Sequence, residues 1–321
     1  MGCGVCENNC PVDVPSEFDN YLGARKAVYI PFAQAVPKVA VVDLDNCVLC
    51  GTCERVCPAK AIDFSQEPRT IRIEVGAVII ATGFKFFDPS RLGQYGAGKY
   101  PNVISSLTMD RLLVANSPYG AVVRPSDGKI PRRIAFILCV GSRARNPRVG
   151  YPYCSRVCCM YTIRQAQSTI LNLRKVEVDV YYMDIRAYGK GFEEFYRRAE
   201  GVGVRFLKGR VARITQKENG NLLLRAKIIG EDSRIVDEEY EMVVLALGIR
   251  PQHKAIARLL SDLDIDDYGF IRTVSPKLDP TATNIPGVFV AGVAEGPKDI
   301  VDTVMQAGAA AMRASAYLTE L

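Results

Sequence analysis

Nearly continuous apolar runs mark the strands that the middle of the chain predicts. Arg133–Ser142 and Met242–Gly248 are such runs, and they are typical of strands in a parallel sheet. Val176–Met183 predicts another strand. A helical period extends from Met160 to about Arg174, between Ser142 and Val176. Shorter predicted elements are a helix over Gly191–Glu200, a strand over Val204–Leu207 and a hairpin over Arg210–Ile229 that turns at Asn219-Gly220. This order predicts a βαβ unit of the nucleotide-binding kind over residues 131–250.

Two further apolar runs end in small residues. Ala77–Gly83 predicts a strand buried on both faces of a parallel sheet, and Gly287–Gly292 predicts another strand. An alanine-rich helix is predicted from Ile300 to Leu318, with Asp299 as its N-cap. The first turn of such a helix has unpaired N–H groups and a partial positive charge, which suit an anionic ligand. The alternative is an ordinary packed helix with a well-formed cap.

Cysteines, rather than long apolar runs, organise the first 68 residues. Short strands are predicted at Ala27–Pro31, Val39–Asp43 and Ala59–Phe64, and beyond this region Ile71–Val75 predicts a half-exposed strand. The segment Cys47-Val-Leu-Cys50-Gly-Thr-Cys53-Glu-Arg-Val-Cys57-Pro58 reads C-x2-C-x2-C-x3-C-P. Bacterial-type ferredoxins hold cubane iron–sulfur clusters with this run.

A partner run is expected, because the fourth cysteine of such a run ligates the other cluster in two-cluster ferredoxins. It lies upstream, as Cys3-Gly4-Val5-Cys6-Glu7-Asn8-Asn9-Cys10-Pro11. The expected pairing is crossed, with one [4Fe-4S] cluster on Cys10, Cys47, Cys50 and Cys53. The other cluster would take Cys3, Cys6 and Cys57.

The second cluster lacks one ligand, since a cysteine three positions before Cys3 would fall before Met1. The chain has been cut or split within the motif, another polypeptide supplies the ligand, or the cluster lacks an iron or is differently ligated; these alternatives stay open. Zinc is the alternative to iron–sulfur for CxxC pairs, but a third cysteine followed by Cys-Pro, twice, disfavours it. Disulfides are disfavoured because no signal peptide opens the chain and clustered thiols fit a reducing compartment. We therefore expect a cytoplasmic protein.

Composition excludes several classes of function. The chain has 321 residues, of which 48% are hydrophobic and 24% charged, enough for two modest domains or one domain with an inserted module. No apolar run approaches the roughly 20 residues that span a bilayer, so no direct membrane span is expected. The net charge of +6 is spread without basic runs, which argues against nucleic-acid binding. One histidine, His253, leaves little material for imidazole catalysis, and a surface position is expected for it.

A third cysteine group lies where a phosphate-binding loop is expected. Nucleotide-type domains carry G-x-G-x-x-G after their first strand, so that pyrophosphate approaches bare backbone at a helix N-terminus. Here the loop lacks that pattern and its thiols favour a metal over a phosphate. The spacing C-x14-C-x3-C-C is not a ferredoxin run, so a structural zinc and buried free thiols stay open as alternatives to a third cluster. The four cysteines are Cys139, Cys154, Cys158 and Cys159.

Several motifs together resemble the A subunit of heterodisulfide reductase, the flavin subunit of methanogen-type electron-bifurcating complexes. That family inserts a two-cluster ferredoxin module into a thioredoxin-reductase-like FAD domain, and its most specific motif pair is Cys-Val-Gly-Ser-Arg with Cys-Ser-x-x-Cys-Cys. The matching segments run over nearly the whole chain and are Tyr29–Phe32, Ala81–Gly83, Tyr100–Ile104, Cys139–Arg143, Tyr153–Tyr161 and Gly296–Asp299. Ala81-Thr82-Gly83 also resembles the crossover of thioredoxin reductase, where the chain leaves the FAD domain beside the flavin.

The resemblance implies an α/β fold, a thioredoxin-reductase-like two-dinucleotide-domain flavoprotein with a partial FAD domain and a two-cluster ferredoxin-like α+β module. The implied domains are 1–68 for the ferredoxin-like module, 69–130 with 251–321 for the partial FAD-binding domain, and 131–250 for the nucleotide-type domain. It also implies an irregular [4Fe-4S] cluster on the third cysteine group. The residues expected to contact the flavin are Ala81, Thr82, Gly83, Gly292, Val293, Lys298, Asp299 and Ile300. Lys298 is the candidate catalytic group, as a cation that stabilises anionic reduced flavin; the alternative is a lysine that faces solvent.

Two departures from the family concern the flavin. The family's leading portion, with the FAD pyrophosphate loop G-x-G-x-x-G, is not in this sequence, and Val293 stands where a carboxylate is common in the wider flavoprotein class. We therefore expect half of an FAD site, with the other half on a missing segment or a partner chain. The chain alone should bind FAD weakly, because the charged pyrophosphate lacks its glycine loop and helix N-terminus.

The resemblance implies an oxidoreductase subunit of a CoB-CoM heterodisulfide reductase used in methanogenesis. Such a complex couples electrons from a hydrogenase or formate dehydrogenase partner to the reduction of heterodisulfide and ferredoxin, together with other heterodisulfide reductase subunits. The cofactors carry out the electron transfer, and the protein positions them and adjusts their reduction potentials. The alternatives are a subunit of a related complex in sulfur or sulfate metabolism, and a flavin-free electron-transfer scaffold that carries clusters.

Overall fold

Two units make up the chain in the computed structural model, which describes residues 2–173, 175–230 and 232–320. The first unit comprises Met1–Ile73 and Val114–Gly120, and the second comprises Glu74–Leu113 and Ala121–Leu321. The positions outside the described residues are Met1, Arg174, Glu231 and Leu321. The predicted end of one helix at Arg174 therefore lies outside them. The predicted division of residues 69–321 into a nucleotide-type domain and a partial FAD-binding domain stays a prediction.

Short elements around the cysteine runs build the first unit. The helical turns α1 (Val5–Asn8) and α2 (Thr52–Arg55) each follow a glycine in the left-handed region, Gly4 with φ 77° and Gly51 with φ 68°. Glycine is favoured there because L side chains rarely adopt this φ. The remaining elements are β1 (Asp13–Pro15) antiparallel to β2 (Ala24–Lys26), β3 (Val28–Tyr29) antiparallel to β4 (Val41–Val42), and the 3₁₀ turn Glu17–Asp19.

Two strands predicted near the end of this region do not form. Ala59–Phe64 is irregular. The N–H of Ala61 donates a hydrogen bond to Sγ of Cys57 at 3.3 Å and is therefore not paired with a neighbouring strand. Ile71–Val75 is irregular and exposed, and no strand among residues 2–173, 175–230 and 232–320 pairs with it. Its alternating pattern is insufficient, since a strand is stabilised by the partner against which it packs.

The second unit contains the longer elements. Its helices are α3 (Ser106–Leu113), α4 (Cys158–Asn172), α5 (Phe192–Gly201), α6 (Lys254–Leu259) and α7 (Ile300–Glu320), with 3₁₀ turns at Pro89–Arg91, Gly93–Tyr95 and Gly292–Ala294. Its strands are β5 (Val78–Ile80), β6 (Phe84–Phe86), β7 (Val103–Ser105), β8 (Arg133–Val140), β9 (Glu177–Tyr182), β10 (Arg205–Gln216), β11 (Leu222–Ile228), β12 (Arg234–Tyr240), β13 (Met242–Leu247), β14 (Ile249–Pro251) and β15 (Val288–Val290). His253, expected at the surface, is half-buried beside Gly269.

A seven-stranded sheet in the order β12-β11-β10-β9-β8-β13-β7 forms the core of this unit. Four adjacent pairs are parallel, namely β7–β13, β13–β8, β8–β9 and β9–β10. The strands β10, β11 and β12 form an antiparallel meander. Helix α4 connects β8 to β9 and α5 connects β9 to β10, so the predicted βαβ order and α/β class are confirmed. β7 pairs with β13 although its sequence lies within 69–130, the range assigned by prediction to the partial FAD-binding domain.

Two small sheets position the end of the chain, β5 parallel to β15 and β6 antiparallel to β14. The prediction that Ala77–Gly83 is buried on both faces is wrong for this chain: Val78 and Ile79 are 41% and 43% exposed. Among the described strands, β5 pairs with β15 alone, so it is an edge strand of a two-stranded sheet and not a central strand of a parallel sheet that is covered on both faces. Helix α7 begins at Ile300 as predicted, and one stripe of its side chains is buried, consisting of Gln306, Ala310 and Ala314.

Candidate functional site

The first unit gathers Cys3, Cys6 and Cys57 around one cavity. The cavity has a volume of about 150 Å³, and the three cysteines line it together with Pro58 and neighbouring residues. Burial raises the pKa of the Cys6 thiol, and the nearby Cys3 and Cys57 thiols raise it further. Two of these cysteines come from the first run and one from the end of the second. This is the crossed set that the spacing predicts.

A second group contains Cys47, Cys50 and Cys53. Burial raises the pKa of the Cys53 thiol, and the charges of the Cys47 and Cys50 thiols act on it in the same direction. Cys10 packs in the same buried core as Cys6 and Cys53. The structure therefore brings Cys3, Cys6 and Cys57 together and groups Cys47, Cys50 and Cys53. The assignment of Cys10 to the second group, and the role of all these cysteines as ligands, stay predictions.

Backbone N–H groups point at sulfurs in both groups. The N–H of Leu49 donates to Sγ of Cys47 at 3.4 Å, and that of Ala61 donates to Sγ of Cys57 at 3.3 Å. The bond from Ala61 is the largest cause of a lowered pKa at Cys57. Such bonds stabilise thiolates and help to set the reduction potential of a cluster.

The third cysteine group begins at a β-bulge. Between the pairs Ile137↔Leu245 and Val140↔Leu247, β8 has one residue more than β13. Cys139 lies in this bulge with φ 61°. A bulge re-aims the side chains at a strand end, and ligands of α/β proteins bind at the carboxyl ends of parallel strands. The thiol of Cys139 is thus placed at the edge where function is expected.

Hydrogen bonds fix the loop that follows β8. The hydroxyls of Ser142 and Ser155 lie 2.6 Å apart, and Oγ of Ser155 accepts a bond from the N–H of Ile249 at 2.9 Å. Gly248 lies against both hydroxyls, and a Cβ there would come within 2.2 Å of Oγ of Ser142. The loop is therefore held to the end of β13 by a close approach that only glycine permits.

Three of the four thiols interact with one another. The thiol of Cys158 interacts with those of Cys139 and Cys159. These interactions lower the pKa of Cys139 and lower that of Cys159 to about 7, while the pKa of Cys158 rises. The sulfur of Cys154 instead accepts a bond from the backbone N–H of Arg156 at 3.4 Å. Within the described part of the chain, no three His, Cys, Asp or Glu side chains form a site for a single metal ion.

A cavity of about 460 Å³ lies at the N-terminal end of α7. Pockets for small molecules and cofactors have about 300–1,000 Å³. Of the residues expected to contact a flavin, all except Thr82 line it, namely Ala81, Gly83, Gly292, Val293, Lys298, Asp299 and Ile300. The carboxylate of Asp299 accepts a bond from the N–H of Asp302 at 2.8 Å, which confirms Asp299 as the N-cap of α7.

Lys298 is a buried cation rather than a solvent-facing lysine. It is 9% exposed, and its ammonium donates to the carbonyls of Gly292 at 2.9 Å and Gly296 at 3.2 Å. It also pairs with the carboxylate of Glu295 at 2.5 Å, as a buried charge requires. Sequence reasoning did not predict Glu295, although its spacing of three residues from Lys298 is an available signal.

The cavity suits a planar ring with one anionic edge. Its wall includes the apolar side chains of Phe84, Phe86 and Ile249, while Lys298 contributes a positive charge. The N-terminus of α7 adds a partial positive charge. These features fit the isoalloxazine ring of a flavin, whose reduced form is anionic. The pyrophosphate of FAD finds no glycine-rich loop among the lining residues.

Among the lining residues that were not predicted from the sequence, two come from the third cysteine loop and its helix. Val157 and Tyr161 belong to the third cysteine loop and its helix, and they form part of the cavity wall. Their spacing of four residues places them on one helical face. The hydroxyl of Tyr161 donates to the carbonyl of Leu247 at 2.8 Å, and burial raises its pKa. The cavity and the cysteine loop therefore share a wall.

Comparison with known proteins identifies the cysteine-rich region and close relatives of most of the chain. Residues 1–61 match the family model described as a 4Fe-4S dicluster domain. The iron-sulfur A subunit of CoB–CoM heterodisulfide reductase from Methanocaldococcus jannaschii is 46% identical over 98% of the chain, and the A subunit of H₂:CoB-CoM heterodisulfide,ferredoxin reductase from Methanothermobacter thermautotrophicus is 46% identical over 98%. The A subunit of H₂/formate:CoB-CoM heterodisulfide,ferredoxin reductase from Methanococcus maripaludis is 45% identical over 97%. The chain is thus homologous to the A subunits of heterodisulfide reductases, and it spans about half of these relatives' length, 47–48%.

Solved structures of thioredoxin reductases are more distantly similar. The Lactococcus lactis enzyme is 16% identical with a TM-score of 0.48, covering 76% of this chain and 67% of that chain. The T. acidophilum enzyme is 18% identical with a TM-score of 0.48, covering 76% and 66%. In the described part of the chain, no helix has the length and apolar character needed to cross a bilayer.

Proposed function

We propose that this chain is the iron–sulfur and flavin part of the A subunit of a heterodisulfide reductase, an oxidoreductase subunit that passes electrons between clusters and a flavin. Homology to subunits of that name and the match to a 4Fe-4S dicluster domain support the proposal. When bound, the flavin exchanges electrons in pairs and the clusters carry them singly. The protein's own residues hold the cofactors, shield them from water and tune them.

The wall shared by the cysteine loop and the cavity carries the proposal. Val157 precedes Cys158 in the chain, and Tyr161 lies on the same helix as Cys158 and Cys159. A redox centre on these thiols would lie next to a flavin in the cavity. The loop that contacts a dinucleotide phosphate in nucleotide-binding relatives would here carry a centre for single electrons.

The partners follow from the same proposal. A hydrogenase or formate dehydrogenase would supply electrons, and heterodisulfide and ferredoxin would accept them through other heterodisulfide reductase subunits. The names of the Methanothermobacter and Methanococcus relatives support these donors and acceptors.

A polypeptide segment outside these 321 residues would complete the flavin site. Helix α7 has three charged residues among its 21, and its exposed side chains include Ile300, Val301, Val304, Met305 and Met312, which are 58–81% exposed. A helix that is apolar on all sides is normally buried, and the free edge of β5 can accept another strand. Both features support a segment that covers α7, extends the β5–β15 sheet and brings the FAD pyrophosphate loop.

Iron content and NADPH binding test the proposed third centre. Cys158→Ala should lower the iron of the anaerobically purified chain by one cluster, and neither protein should bind NADPH tightly. Met160→Leu, a volume-conserving change in the same helix, is the control and should leave iron unchanged. Tight NADPH binding by the wild type, or equal iron in wild type and Cys158→Ala, would overturn the proposal.

A further inference from the structure

Arg156 connects the third cysteine loop to the N-terminal end of α7. It lies between Cys154 and Cys158 in the left-handed region, with φ 62°, a conformation that is uncommon for a residue with a side chain. Its backbone N–H donates to the sulfur of Cys154 at 3.4 Å. The backbone of Arg156 is therefore hydrogen-bonded to Cys154, one of the predicted cluster ligands.

The guanidinium of Arg156 contacts three residues outside that loop. Nη2 pairs with the carboxylate of Asp302 at 2.8 Å, and Nη1 donates to the carbonyl of Pro297 at 3.2 Å. Nε donates to the hydroxyl of Tyr188 at 2.6 Å, with the guanidinium 5.2 Å from the centre of that ring. The planar fork of an arginine suits three such partners, whereas a lysine would keep only part of them.

The far end of this bridge lies next to the wall of the cavity along the chain. Pro297 and Asp302 flank the segment from Lys298 to Ile300, all three residues of which line the cavity. The side chains of Arg156 and Asp302 are 37% and 34% exposed. Charges that are partly shielded from water act on their surroundings more strongly than solvated charges.

We propose that Arg156 and Asp302 are a positioning pair for electron exchange between the third cysteine group and the flavin cavity. Arg156 fixes the loop against α7, and Asp302 balances its charge beside both centres. The inference rests on the proposed function, because it requires a redox centre at each of the two sites. It implies that loss of the positive charge of Arg156 and loss of the negative charge of Asp302 shift the reduction potentials of both centres in opposite directions.

Redox titration of Arg156→Met and Asp302→Asn tests this sign. In Arg156→Met the carboxylate of Asp302 is unbalanced, so adding an electron nearby is less favourable and the potentials should fall. In Asp302→Asn the guanidinium is unbalanced and the potentials should rise. The double variant should return towards the wild type. The measurement is electron paramagnetic resonance of the anaerobically purified holoprotein for the cluster, with flavin absorbance for the flavin-loaded complex.

Conservative and distant variants separate the electrostatic role from a structural one. Arg156→Lys keeps the charge, so the potentials should stay near those of the wild type, while the rate of flavin–cluster exchange falls. Arg164→Met breaks an ion pair between α4 and Asp110 and should leave the potentials unchanged. Thermal unfolding checks that each variant folds, and Asp302→Asn, which preserves shape, carries the test if Arg156→Met does not fold.

The outcomes distinguish this inference from the function on which it rests. Shifts of the same sign in Arg156→Met and Asp302→Asn would indicate loosening alone and would overturn the inference. Unchanged potentials in both variants of a protein that contains the third cluster would overturn it too, and would leave the proposed function intact. Equal iron in wild type and Cys158→Ala would instead remove the proposed cluster itself, and the inference with it.

Discussion

Single residues determine where each sulfur atom lies. Gly4 and Gly51 begin equivalent helical turns in the two cysteine runs, so the thiols of each run are presented in a similar way. The bulge at Cys139 then aims a further thiol from the end of β8. Motif spacing identifies such residues from the sequence because the spacing itself is a geometric requirement of the cluster.

Removal of Cys50 should abolish one cluster of the first unit. Cys50→Ala leaves three of the four predicted ligands of the cluster on Cys10, Cys47 and Cys53, so we expect less iron and the loss of one low-spin signal. Iron analysis and electron paramagnetic resonance of the reduced protein measure this. Thr52→Val, which removes the hydroxyl beside Cys50, is the control and should keep the iron. Equal iron and identical spectra in Cys50→Ala and wild type would contradict the assignment.

Lys298 should raise the reduction potential of a flavin in the adjacent cavity. Lys298→Met removes a buried cation, so the anionic reduced flavin is less stable and its potential should fall. Glu295→Gln removes the partner carboxylate and should raise the potential. Spectroscopic redox titration of the flavin-loaded complex measures both shifts, with Lys277→Met, at an exposed position, as the control. A potential that is the same in Lys298→Met and wild type would rule out a tuning role.

At the scale of elements, a buried polar network joins strands of the seven-stranded sheet. Asp179 of β9 is fully buried, and its carboxylate accepts two bonds from Arg205 of β10, at 2.6 and 2.7 Å. The hydroxyl of Tyr240 of β12 donates to the same carboxylate at 2.6 Å and lies 2.8 Å from the hydroxyl of Tyr181. The network reaches from the parallel strands into the antiparallel meander.

Neutralising Asp179 should destabilise this sheet. Loss of one partner of a fully buried ion pair costs about 3–5 kcal/mol, but the side chain of Arg205 is 55% exposed and water can solvate it. We therefore expect Asp179→Asn to lower the free energy of unfolding by about 2–3 kcal/mol. Urea unfolding measures the change. Asp237→Asn, which breaks an exposed pair with Arg225, should cost much less because water screens this pair, and equal losses in the two variants would contradict the account.

Elements with long apolar runs are predictable, and those that depend on distant partners are not. The positions of β8, α4 and α7 follow from periodicity and caps, which are local properties of the sequence. The prediction of a strand at Ala59–Phe64 is wrong because an N–H group of this segment bonds to a sulfur. Strand β12 escapes prediction because its charged sequence gains its stability from pairing with β11.

The candidate site shows the same limit of prediction. Its cysteines and the small residues of the cavity can be read from motifs. The pair Arg156–Asp302 joins residues 146 positions apart, and no local pattern indicates such a contact. Val157 and Tyr161 escape prediction because the sequence does not say which face of α4 meets the cavity.

At the scale of the whole molecule, the uncovered face of α7 governs how the chain behaves alone. Large exposed apolar patches mark surfaces that another polypeptide covers. We expect the isolated chain to bind FAD weakly and to self-associate. Stoichiometric FAD in the chain purified alone would contradict the idea of a shared flavin site.

Charged substitutions on the exposed face of α7 should affect both the self-association of the isolated chain and FAD uptake with the missing segment. Met305→Lys with Met312→Lys should reduce self-association of the isolated chain, since both side chains are more than 60% exposed on α7. The same variant should prevent FAD uptake when the part of the Methanocaldococcus relative outside the match is added as a second polypeptide. Sedimentation and bound-flavin absorbance measure these effects. Ile235→Lys, at a 70% exposed position on β12, should change neither.

The close fit of Gly248 against Ser142 and Ser155 has an evolutionary consequence. A descendant that regained glycines in the loop after β8 would still have two interlocked hydroxyls and a bulged strand end where a phosphate would need room. No single substitution removes all of these obstacles, so glycines alone would not turn this loop into a phosphate-binding loop.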